Sequence, residues 1–301
     1  MSSIINVRGL TKSFGEISAV SNLDFTVQQG EVYGFLGQNG AGKSTTIRML
    51  LTLITPTAGE IEIFGLNLKK HRNEILRRTG AIVEKPDLYK YLTALENLKL
   101  FAAMSGVKIS EKQLMEQLHK VGLEERANSK VKTYSQGMKQ RLGIAVALVH
   151  DPELIILDEP MNGLDPQGIA DVRNLINHLS KDLGKTLFIS SHLLTEMELV
   201  ADSLLIIERG KKISEGRMDT LLNPETTDVE VETDSGELLV AELTKSVWGK
   251  SVHTHDTHRV FLHMKREEVP EFITNIGQLN RPIYSIRRKN SLEDYFLSLT
   301  V

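Results

Sequence analysis

The chain has no cysteine. Disulfides and thiolate metal sites are thereby excluded, and the usage fits a reducing compartment. No apolar run approaches the ~20 residues needed to cross a bilayer. The richest runs, residues 144–149 and 154–157, are short and read as core. The start, Met1-Ser2-Ser3-Ile4-Ile5-Asn6-Val7-Arg8, lacks the basic stretch, apolar segment and cleavage site of a secretory signal. The expectation is a cytosolic chain whose only link to a membrane comes through a partner. Charge of one sign is also lacking. The formal net charge is -3, so there is no global basic footprint for nucleic acid. Internal repeats and low-complexity segments are missing too.

What is present is an ordinary globular mix, with 41% hydrophobic and 25% charged residues in 301. That length suits one large domain plus a small one, or two medium ones. Short or alternating apolar patterns at 4–7, 19–20 and 23–27 read as strands. Residues 31–36 form a strand running into a glycine-rich loop, with a helix expected over 44–53, a turn at 55–60 and a strand at 61–64. Helical spacing dominates from about 93 to 147. Residues 154–157 are an unbroken apolar strand, as expected of one buried on both faces. A helix over 166–183, a strand at 186–190, a short helix over 194–201 and a strand at 203–207 complete the alternation, which argues for a mainly parallel α/β sheet. Composition changes at Leu222-Asn223-Pro224-Glu225-Thr226-Thr227, so a boundary is expected there. Beyond it, strands around Val229 and Val231, at 260–262 and at 283–286, and helices over 269–279 and from Ser291, describe a small α+β appendage.

Two motifs carry chemistry. Gly37-Gln38-Asn39-Gly40-Ala41-Gly42-Lys43-Ser44-Thr45 fits the phosphate-loop pattern, and the strand before it and helix after it are the context that pattern requires. Its glycines let backbone N–H groups converge on phosphates, and the helix start adds partial positive charge. Lys43 is expected to reach the β- and γ-phosphates of ATP, and the Ser44 hydroxyl to ligate Mg²⁺. Leu154-Ile155-Ile156-Leu157-Asp158-Glu159 is a buried strand ending in two acids. Asp158 suits Mg²⁺, directly or through water, and Glu159 is left to polarise the attacking water. Ser190-Ser191-His192 follows the next strand. Strand ends on that side line the ligand crevice, so His192 can face the γ-phosphate, although an isolated histidine commonly has only a surface or core role.

Tyr134-Ser135-Gln136-Gly137-Met138-Lys139-Gln140-Arg141 resembles the signature motif of ATP-binding-cassette (ABC) proteins. The order of elements matches as well: phosphate loop, helical insert, signature, Asp158-Glu159, Gly163-Leu164-Asp165, then His192. The resemblance covers 1 to about 222. It implies an ABC-type P-loop NTPase with an antiparallel β subdomain over 1–222 and a helical insert at about 88–150, followed by the accessory α+β domain over 223–301. By this resemblance Phe14 lies against adenine. Ser135 and Gly137 contact the γ-phosphate of ATP bound by a second copy, Asp165 sits at the dimer seam, and His192 is the switch histidine. The expected assembly is a cassette dimer sandwiching two ATP molecules and powering a separate multi-span permease, which would place the chain on the inner face of the cell membrane.

There are departures from the family pattern. The signature is commonly Leu-Ser-Gly-Gly-Gln, and only Ser135 and the second glycine, Gly137, are kept. The usual glutamine opening the insert is Glu84, whose carboxylate can still hold Mg²⁺ or a water. With Glu84-Lys85-Pro86 and Asp158-Glu159-Pro160-Met161-Asn162-Gly163-Leu164-Asp165-Pro166, the motif looks most like the bacitracin and lantibiotic exporter branch. Alternatives are an exporter of an ion, drug or lipid, or a non-transport ABC ATPase acting on ribosomes or DNA. The latter usually carries two cassettes or a coiled-coil insert, which this chain lacks. A phosphate-loop kinase would not need Ser135 and Gly137. His253, His255, His258 and His263 suggest a metal or, more simply, a polar strand face. Lys69-Lys70-His71-Arg72 and Arg77-Arg78 read as a solvated face, with contact to acidic lipid headgroups the alternative.

Overall fold

Alternating apolar residues in the first third of the chain build strands that bury one face. In the computed structural model, which describes residues 2–222, 225–279, 281–289 and 291–299, the chain opens with β1 (Ser3–Phe14) and β2 (Ile17–Gln28). The separate patterns at 19–20 and 23–27 are one strand. Then follow β3 (Val32–Leu36), α1 (Lys43–Leu50), β4 (Ala58–Ile63), β5 (Leu66–Asn67), α2 (Arg72–Arg77) and β6 (Thr79–Ile82). The helical insert holds α3 (Ala94–Met104), α4 (Glu111–Lys120) and α5 (Gln136–Ala147). The unit ends with β7 (Leu154–Asp158), α6 (Pro166–Asn177), β8 (Thr186–Ser191), α7 (Leu194–Glu198), β9 (Ser203–Glu208) and β10 (Lys211–Arg217). A π-helical turn, His178–Asp182, finishes the expected 166–183 helix.

Two sheets form this unit. The order β2-β1-β4-β5 is antiparallel. The other sheet runs β10-β9-β3-β8-β7-β6, parallel throughout except for the β10 edge. Tyr33 and Phe35, two apart on β3, share a face. They meet Phe188 of β8 and Phe25 of β2 with ring centroids 5.3 to 6.1 Å apart. This aromatic cluster joins the two sheets, and each such ring contributes roughly 1.5–3 kcal/mol on burial. The Tyr33 hydroxyl donates to Glu215 Oε1 on β10 at 2.7 Å. Burial, reinforced by Glu215, pushes this phenol well above its ordinary range.

The chain divides into two compact units, Met1–Arg217 and Met218–Val301. The expected boundary stretch, 222–227, includes Asn223 and Pro224, which lie outside the described residues. The second unit contains α8 (Met218–Leu222), β11 (Thr226–Thr233), α9 (Gly236–Leu243), β12 (Val252–His255), β13 (Arg259–Lys265), α10 (Val269–Ile276), β14 (Ile283–Lys289) and α11 (Leu292–Leu299). Its antiparallel sheet has the order β12-β13-β11-β14. Val229, Val231, Val260 and Leu262 are fully buried in its core beside Trp248 and Phe272, whose rings meet edge-on at 5.4 Å. His253, His255, His258 and His263 are all exposed. His263 pairs with Asp228 at 2.8 Å, and no metal-type cluster of His, Asp and Glu occurs among the described residues. No helix of the described residues is long and apolar enough to cross a membrane.

Candidate functional site

Three parallel neighbours end on one edge of the six-stranded sheet. Leu36 of β3 lies opposite Ser191 of β8, and Asp158 of β7 opposite Ser190. Register alone therefore gathers the glycine-rich loop, the two acids and His192 at the crevice where open α/β sheets bind ligands.

In the loop, Gly40 (φ 84°) and Gly42 (φ 108°) adopt left-handed backbone. At Gly42 a side chain would also strike the Ala19 carbonyl, 2.6 Å from where its Cβ would sit. Gly37 is held equally close, with Ile207 O 2.5 Å from a would-be Cβ. Ala41 is buried and ties the loop to the carbonyl of Gln38 (3.1 Å) and the N–H of Gly210 (2.9 Å), while Asn39 is exposed at the tip. Gly42 caps α1. The N–H groups of Gly42, Lys43, Ser44 and Thr45 have no acceptor among the described residues. Free donors on a helix start favour phosphate.

Lys43 is buried. Its ammonium donates to Gly37 O (2.6 Å) and Gln38 O (3.3 Å) and pairs with Glu159 Oε1 at 3.1 Å. The other Glu159 oxygen, Oε2, faces His192 Nδ1 at 2.8 Å. Glu159 itself has φ 51°, a backbone state that costs a non-glycine residue about 1–3 kcal/mol and marks functional sites. Its N–H donates to Ser190 Oγ at 2.9 Å, and that hydroxyl donates to Asp158 Oδ1 at 2.5 Å. Asp158 is 1% exposed, and its Oδ2 is buried with no hydrogen bond. An orphan carboxylate oxygen there fits the donor chemistry of a hard cation such as Mg²⁺.

Glu84 is not drawn into this cluster. Its carboxylate, 62% exposed, pairs with Arg48, one turn along α1 from Ser44. Phe14, 51% exposed, ends β1, with Lys12 Nζ over its ring 4.9 Å from the centroid. Ser135 and Asp165 are exposed helix caps. Ser135 Oγ accepts from Met138 N at 3.2 Å to start α5, and Asp165 Oδ1 accepts from Gly168 N at 3.1 Å to start α6. Gly137 is buried in the first turn of α5.

Sequence reasoning gave no role to Ser190, which links both acids, or to Arg48. Neither carries a local signal, because each acts on a residue far along the chain.

Comparison with known proteins identifies the set. The ABC transporter family model matches residues 20–162. The chain is 43% identical to the bacitracin transport ATP-binding protein BcrA of Bacillus licheniformis, over 99% of this chain and 98% of that protein. It is 42% identical to the lantibiotic transport ATP-binding protein SrtF of Streptococcus pyogenes, over 72% of this chain and 92% of that one. A solved dimeric ATP-binding cassette in a post-hydrolysis state, with ADP and Pi bound, superposes with a TM-score of 0.64 at 27% identity, over 71% of this chain and 99% of that one. The chain belongs to the ATP-binding proteins of ABC transporters and is an ATPase of that family.

Proposed function

We propose that this chain is the motor of a peptide-antibiotic exporter, working as a cassette pair on the inner face of the cell membrane beneath a separate permease. The observation that carries the ATPase part is the Glu159 carboxylate, held between Lys43 and His192 at the mouth of the phosphate loop. Lys43 and the free N–H groups of α1 take the phosphates. Phe14 stacks on adenine. Ser44 and Asp158 hold Mg²⁺, which when bound offsets phosphate charge. Glu84 can join them only on leaving Arg48.

Glu159 accepts a proton from the attacking water, and His192 orients that carboxylate. Ser135, Gly137 and Asp165 complete the site of the second cassette. Closure on ATP and opening after hydrolysis then drive the permease. The cargo reading is supported by similarity to the bacitracin and lantibiotic transport proteins along nearly the whole chain and most of it, respectively.

The test has two arms. Glu159→Gln in the full-length chain is expected to dimerise on ATP without turnover, seen by light scattering and phosphate release. A variant that stays monomeric at saturating ATP overturns the paired site. Expression with its permease is expected to raise tolerance to a bacitracin-type peptide, and this gain should vanish with Glu159→Gln. Unchanged tolerance overturns the cargo.

A further inference from the structure

Two buried glycines meet beneath two exposed helix caps. Ser135 and Asp165 stand on the surface at the starts of α5 and α6, while Gly137 and Gly168, two and three residues on, are buried. A Cβ on Gly137 would lie 3.4 Å from Gly168 Cα, and one on Gly168 would lie 3.7 Å from Gly137 Cα. Neither glycine has positive φ, so what each supplies is space rather than backbone freedom. Helices normally pack with their axes about 8–10 Å apart, set by the side chains between them. Here main chain meets main chain.

Gly168 is the more constrained of the two. A Cβ there would fall 2.7 Å from Asp165 Oδ1 and 3.3 Å from Leu164 Cβ. The first of these is the oxygen that accepts from Gly168 N to cap α6. A Cβ at 168 therefore pushes on the Asp165 carboxylate, while it would rest in ordinary contact on the Gly137 main chain of α5.

One turn further in, the same two helices are tied again. Arg141 of α5 pairs with Asp171 of α6 at 3.4 Å. Its other amino group donates to Val121 O (2.9 Å) and Gly122 O (3.3 Å), just past the end of α4. A guanidinium suits this, since its fork serves several acceptors at once. The spacing of Ser135 from Asp165 is thus fixed at two levels and referred to the helical insert through α4.

We propose that Gly168, with Arg141 one turn below, is a positioning residue for ATP turnover. It sets the Ser135 and Asp165 caps at the separation needed to engage the nucleotide of a second cassette. This rests on the paired-site reading above. Gly168 touches neither the phosphate loop nor the acids, so its loss acts on the shared site and not on a chain's own nucleotide grip.

Full-length Gly168→Ala is expected to lower kcat about tenfold and to weaken ATP-driven dimerisation in the Glu159→Gln background about tenfold. Binding of a fluorescent ATP analogue to the monomer should stay within about twofold of wild type. The loss should not add to that of Asp165→Ala, because both act through one cap; a double-mutant cycle reads this coupling. Wild-type kcat, an equal loss of monomer nucleotide affinity, or additive losses would each overturn the proposal. If Gly168→Ala does not fold, Arg141→Lys serves. A kcat about threefold lower with nucleotide affinity kept supports positioning, and an unchanged kcat overturns it. If the Glu159→Gln chain with Gly168 intact stays monomeric in ATP, the paired-site reading fails and the positioning role falls with it. Dimerisation of that chain unaffected by Gly168→Ala refutes the positioning role alone.

Discussion

The phosphate-loop edge and the start of α5 and α6 are built in opposite ways. At the first, every charge has a partner inside the chain: Lys43 with Glu159, Glu159 with His192, Asp158 with Ser190. At the second, Ser135 and Asp165 are exposed, with the buried Gly137 and Gly168 close behind them in sequence. The first region is a preorganised cluster of charged side chains at the mouth of the glycine-rich loop. The second is an exposed surface whose polar side chains are held as caps on the helix starts. On the proposed function, chemistry that needs preorganised charge falls to the first and recognition of the second cassette's nucleotide to the second.

Substitutions should separate the two. The largest effect is expected from Glu159→Gln, which removes the base and should cut phosphate release roughly 10²–10⁴-fold, with nucleotide affinity kept or raised because the charge that competes for Lys43 is gone. Near-normal turnover would end the base assignment. Lys43→Ala comes next. Losing a charge-assisted contact worth about 1.5–3 kcal/mol should weaken nucleotide binding by roughly ten- to a hundredfold in an equilibrium titration, and unaltered affinity would mean that the loop does not grip phosphate through this lysine. Ser190→Ala strips the shared hydroxyl from both acids. It is expected to lower unfolding free energy by about 1–3 kcal/mol in denaturant titration and to slow turnover with it; if neither changes, the two acids are held independently. The smallest effect belongs to Ser135→Ala. One helix cap, about 1 kcal/mol, should be lost while monomer nucleotide affinity stays the same. A drop in that affinity would erase the distinction between the two regions.

The contrast also explains what could be read from sequence. The loop at 37–45 and the strand ending in Asp158-Glu159 are contiguous, so residue order alone displays them. The strands flanking them are buried on both faces and announce themselves as apolar runs. β10 is not legible because Lys211, Lys212, Ser214, Glu215 and Arg217 show no apolar alternation; it is an edge strand from which Lys212 reaches Asp24 and Glu215 reaches Tyr33. β6, only four residues with two of them Thr79 and Gly80, carries too little hydrophobic signal. α9 is short and opens on Gly236. Ser190 and Arg48 needed tertiary structure, since their partners lie 32 and 36 residues away. Glu84 was read for chemistry by its place in the motif, and its engagement with Arg48 is visible only in the fold.

The Lys43 ammonium has three N–H groups, and three protein oxygens surround it, on Gly37, Gln38 and Glu159. It has no donor left over. An arriving phosphate must therefore displace a resident acceptor, and the Glu159 carboxylate is the one with charge to compete. In linkage terms the protein carries an internal competitor for its own substrate. Displacement frees the same carboxylate that is assigned to activate water, and its return to the lysine opposes rebinding of the cleaved phosphate. On the proposed roles of Lys43 and Glu159, one ion pair would so lower the affinity for nucleotide and couple occupancy of the loop to release of the base.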